Sequence, residues 1–141
     1  MKRLIALGIV AFLVGGCIAL LDRKAEIDYR IDLAEFGQLM NDVNAYLATV
    51  VDNPGILDVD ESFRKEFRET LNQAKEIVAK WNGDRTLESA GSQYVDYFDT
   101  IISSMDNWGR ETPSRLSIMS RDASITLSVY LRSSFLLAET R

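Results

Sequence analysis

The sequence predicts an all-α protein, an up-down-up-down four-helix bundle standing behind an N-terminal hydrophobic signal or anchor. Three observations predict it. Apolar residues recur in steps of four and three through successive segments, the 3.5-residue period of helices packed along a seam. The strongest breakers fall between those segments, at Pro54-Gly55, at Gly83 and at Gly109 with Pro113,. A run without charge from Leu4 to Leu21 precedes them all. With 141 residues, 47% hydrophobic and 26% charged, the chain can fill a single core,.

Lys2 and Arg3 open the chain, and the run LIALGIVAFLVGGCIALL closes at Asp22-Arg23-Lys24. As a helix these residues rise roughly 27 Å, near the roughly 30 Å hydrocarbon core, so residues 4–21 fit a transmembrane signal-anchor. The same letters fit a signal peptide: a basic start, an apolar stretch of about ten residues ending near Val14, then small residues.

Val14-Gly15-Gly16-Cys17 resembles the lipobox of bacterial lipoproteins, and the resemblance covers residues 1–17. It implies that the Cys17 thiol accepts a diacylglycerol, that cleavage follows, and that the freed amine takes a further acyl chain. The mature chain would then have 125 residues, 141 less the 16 removed. Under either reading residues 22–141 form an exported helical bundle on the periplasmic side of the bacterial cell envelope. Acyl chains or the N-terminal helix hold it to the membrane, and Lys2 and Arg3 keep the N-terminus cytoplasmic,.

The first helix of the body starts near Tyr29, with Leu33, Phe36, Met40, Val43, Leu47 and Val50 on its seam and Leu39 and Tyr46 widening the stripe,. Asp52-Asn53-Pro54-Gly55 stops it, because the residue before proline is pushed out of the helical region and glycine supplies the turn,. The second helix spans about Val59 to Asn82. It carries Phe63, Phe67, Leu71, Ala74, Val78 and Trp81 inward, with Asp58 or Asp60 as cap and Gly83 as left-handed terminator,.

Thr86 opens the third helix, where Leu87, Gly91, Tyr94, Phe98, Ile101, Met105 and Trp108 share a face and Gly109 ends it. Gly91 occupies a seam position, where a missing side chain admits a bulky neighbour. Thr112 then caps a fourth helix with Pro113 at its first position,. Its inward residues are Leu116, Met119, Ala123, Leu127, Tyr130 and Leu137. The alternation of residues 125–131 also suits a strand, but no second strand-like run offers it a partner,.

Composition removes whole classes of chemistry. With no histidine, Ser-His-Asp and Cys-His systems, H-E-x-x-H zinc sites and Glu-x-x-His di-iron bundles are excluded,. A single cysteine permits neither an intrachain disulfide nor a cysteine-based zinc or haem site,. The net charge of −5 argues against nucleic acid, whose binding rests on Lys and Arg,. No cofactor and no metal site is expected.

Charge is unevenly spread. Residues 86–109 hold Glu88, Asp96, Asp99 and Asp106 and no base, while residues 110–141 hold five arginines against three acids. The simplest reading is complementarity between these two adjacent helices, and the sharper one a cation site at Asp96 and Asp99. Ser120, Ser124 and Ser128 repeat every fourth residue, which suits close helix approach or a mildly polar outer face,. Trp81 and Trp108 lie at helix ends. With Phe63, Phe67, Tyr94 and Phe98 they define a candidate apolar pocket at one end of the bundle.

These features point to a membrane-tethered, non-enzymatic interaction or scaffold module that binds another envelope protein. The alternative is a ligand-sensing bundle acting through a separate partner, since an anchor running into a long exported helix looks like the sensor domain of bacterial chemoreceptors. An enzyme is a third reading, in which Asp, Glu, Lys, Tyr or Ser alone would have to act.

Overall fold

The computed structural model describes residues 33–139, with side chains through Ser133. The signal or anchor, Cys17 and Tyr29 lie outside the described residues, as does the Leu137 side chain. The described residues form five helices joined by turns, with no strand among them: α1 (Leu33–Asp52), α2 (Ile56–Val59), α3 (Glu61–Ala79), α4 (Arg85–Ser104) and α5 (Thr112–Glu139). Residues 125–131 are therefore helix.

The four-three spacing places the core as expected. Leu33, Phe36, Met40, Val43, Leu47 and Val50 of α1 are all buried, as are Phe67, Leu71, Ala74 and Val78 of α3 and Leu87, Tyr94, Phe98 and Ile101 of α4. Leu116, Ala123, Leu127 and Tyr130 close the same core from α5. Its most extensive backbone contacts join α1 to α3, α3 to α4 and α4 to α5. Ring contacts give the directions: Phe36, early in α1, meets Trp81, just past α3, whereas Tyr46, later in α1, meets Phe63 and Phe67 near the start of α3. These two helices run antiparallel.

Several boundaries differ from the sequence expectation, each for a local reason. The Pro54-Gly55 turn leads into the one-turn helix α2, with Gly55 in the right-handed region and Leu57 tucked into the core. Asp60 rather than Asp58 caps α3, its side chain accepting from the Phe63 N–H at 3.0 Å. At the other end Gly83 has φ 90°, the left-handed conformation foreseen for it. The α4 cap is Asp84, which accepts from the Thr86 and Leu87 N–H groups at 2.8 and 3.1 Å.

Helix α4 stops at Ser104, short of Gly109, and Met105 and Trp108 belong to the connection that follows. Thr112 is the first residue of α5. Its hydroxyl accepts from the Gly109 N–H at 3.0 Å, so it fastens the preceding turn instead of capping its own helix. The long helices have 20, 19, 20 and 28 residues.

Gly91 fulfils its seam role. A methyl built there would lie 2.7 Å from the Val78 carbonyl oxygen and 3.6 Å from Trp81 Cβ. Only a hydrogen fits where α4 crosses the end of α3.

Candidate interaction surface

The six residues of the expected pocket do not gather in one place. Near the start of α3, Phe63 meets the Tyr46 ring edge-on at 5.3 Å and Phe67 stacks on it at 5.0 Å. Trp81 is 18 positions beyond Phe63, roughly 27 Å along a helix. There it meets Phe36 edge-on at 5.1 Å and Tyr94 at 6.1 Å, and Tyr94 in turn stacks with Phe98 at 6.0 Å. Trp108 follows α4 while Trp81 precedes it, so the length of that helix separates the indoles. The aromatic residues fill the core at both ends, and the sequence missed Tyr97, buried beside Phe98 at 5.4 Å.

Polar groups inside are few. The hydroxyls of Tyr94 and Ser124 share a hydrogen bond of 2.8 Å that ties α4 to α5. Burial pushes the Tyr97 phenol far above its usual range, with the Ser120 hydroxyl acting weakly the other way,. Ser120 and Ser124 are therefore interior residues, and Ser128 is half-buried. The Asn44 amide and the Trp81 Nε1 are buried without a hydrogen-bond partner among the described residues.

The acids of α4 and of the connection after it find their bases on α3. Lys75 Nζ lies 2.5 Å from Asp99, and Arg64 pairs with Asp106. Complementarity thus joins α4 to the helix before it, not to α5. The Lys75 pairing also occupies one of the two carboxylates considered for a cation, and no group of three or more potential metal ligands occurs among the described residues.

This leaves the arginines of α5 on its outer face. Arg115, Arg121 and Arg132 are exposed, with Asp122 3.7 Å from Arg121 as the one acid in ion-pair range of them among the described residues. Between them run Ile118, Ile125 and Val129, 51%, 48% and 50% exposed, at steps of seven and four along one side of the helix,. Among the described residues the remaining large exposed aliphatic side chain, Val59, stands alone at the end of α2. The sequence reading named none of these three as functional. A helical projection reveals them once Leu116, Ala123, Leu127 and Tyr130 are set inward.

No family model matches the chain, and neither a curated protein nor a solved structure shows significant similarity to it. No helix among the described residues is long and apolar enough to cross a membrane.

Proposed function

We propose that this protein is a membrane-tethered, non-enzymatic interaction module of the bacterial cell envelope that docks another envelope protein through the outer face of α5. In this reading α1, α3, α4 and α5 form an up-down-up-down four-helix bundle, exported behind an N-terminus that is lipidated at Cys17 or inserted as a helix. The stripe of Ile118, Ile125 and Val129 carries the proposal. Scattered exposed aliphatic residues are ordinary, whereas three aligned along one helix face and bordered by charges match the anchor pattern by which helices recognise one another.

Affinity recovery of the tagged full chain from detergent-extracted membranes tests it. One envelope protein should be recovered repeatedly with the natural chain and lost with Ile125→Glu, while the melting temperature stays unchanged. Recovery of no partner, or equal recovery with both chains, would overturn the reading, as would measured turnover of an envelope substrate.

A further inference from the structure

The chemistry of the α5 face also specifies what it docks, and this step rests on the interaction-module reading. We infer that the occupant is an amphipathic helix of the partner protein that flanks an aliphatic stripe with Asp and Glu.

The spacing sets the shape. Ile118 to Val129 covers 11 positions, roughly 17 Å, about three turns of an opposing helix. On the helical projection Arg121 and Arg132 border one side of the stripe, and Arg115 with Asp122 borders the other,. Arg115 and Arg132 have no ion-pair partner among the described residues. Carboxylates on a partner would satisfy both, and guanidinium groups suit paired carboxylate recognition.

The same charges disfavour other occupants. A second copy packed antiparallel so that Ile118 meets Val129 brings like borders together, Arg121 beside Arg121 and Asp122 beside Asp122, and a parallel pairing in register sets Arg121 beside Asp122 but leaves Arg115 and Arg132 with no carboxylate opposite them,. A lipid surface fits poorly too. The described outer face offers three half-covered β-branched residues and no aromatic side chain, and Asp122 sits within it. Interfacial helices use Trp, Phe or Leu with a basic face.

The test is site-specific photo-crosslinking of the full chain in its own cells. A photoreactive residue replaces Ile125 or, as control, the exposed Asn41 of α1. The expected result is a protein adduct from position 125 alone, whose crosslinked peptide carries acidic residues beside aliphatic ones at helical spacing. Arg115→Glu combined with Arg132→Glu should cut the yield about tenfold or more, through like-charge repulsion across the contact. The matching lysine pair should retain most of it, and circular dichroism should show both variants folded.

A lipid adduct, an adduct to a second copy or to residues 1–32, or a yield indifferent to charge reversal would overturn the inference. So would a protein adduct whose peptide lacks acidic residues, although that result leaves the module reading standing. Absence of any protein adduct at both positions would sink the two together.

Discussion

Replacing Gly91 by Ala is a sharp test of how α3 and α4 meet, because helix propensity and packing push in opposite directions. On propensity alone the change stabilises a helix interior by about 1 kcal/mol. The new methyl, however, would sit 2.7 Å from the Val78 carbonyl oxygen, 0.7 Å inside the 3.4 Å at which ordinary contact begins. That oxygen belongs to backbone and is held by the Trp81 N–H at 3.2 Å, so it cannot rotate aside as a side chain would.

Overpacking typically costs about 1–3 kcal/mol, and a backbone clash belongs in the upper part of that range. Net destabilisation should therefore reach about 1–2 kcal/mol, a fall in melting temperature of about 4–10 °C for a domain of this size. Ser92→Ala, one residue on and exposed, supplies the propensity gain without the clash and should stabilise by about 0.5 kcal/mol. Urea unfolding of the full chain in a non-ionic detergent, followed by tryptophan fluorescence, reads both variants. If Gly91→Ala proves as stable as Ser92→Ala, the close crossing at Gly91 is wrong.

Three further outcomes follow from the interior. Asn44→Leu should stabilise by about 1–3 kcal/mol, since it removes a buried amide whose two polar atoms have no partner among the described residues,; a lowered melting temperature would contradict this. Phe36→Ala should cost about 3–5 kcal/mol by denaturant unfolding, given its burial against Trp81 and Tyr94, whereas exposed Asp42→Asn should change stability by less than about 0.5 kcal/mol,. The raised Tyr97 phenol gives a pH signature: the unfolded chain ionises it near its ordinary 10.0 while the folded chain holds it neutral. Its stabilising contribution is thus complete below pH 10 and is lost as pH rises beyond, so the natural chain should lose stability above pH 10 more steeply than Tyr97→Phe.

The sequence made the core of α1 legible because that helix carries one apolar stripe, so Phe36, Met40 and Val43 could point only one way. Gly91 was readable for a similar reason, as a gap in an otherwise regular seam. Helix ends were harder: Asp84 and Thr86 both suit a start, and only the cap hydrogen bonds decide between them. Helix α5 was hardest of all. It has aliphatic residues on both its inner and its outer side, which blurs the helical period into a strand-like alternation and hid Ile118, Ile125 and Val129 as a group. The pocket failed because residues that share a face along a helix still stand a whole helix length apart. Asn44 went unnoticed, and the row of Ser120 and Ser124 could be read as interior or exterior, since nothing in a sequence marks a polar residue as interior.

The proposed docking role requires the body to be held at a membrane. Fractionation of the native cells followed by intact mass of the extracted protein tests that most directly. The expected result is a membrane-bound chain whose mass is that of residues 17–141 plus a diacylglyceryl group and a further acyl chain. An unprocessed chain of 15.9 kDa in the same fraction would replace the lipid by the N-terminal helix and keep the tether. An unmodified chain recovered from the soluble fraction would contradict the account.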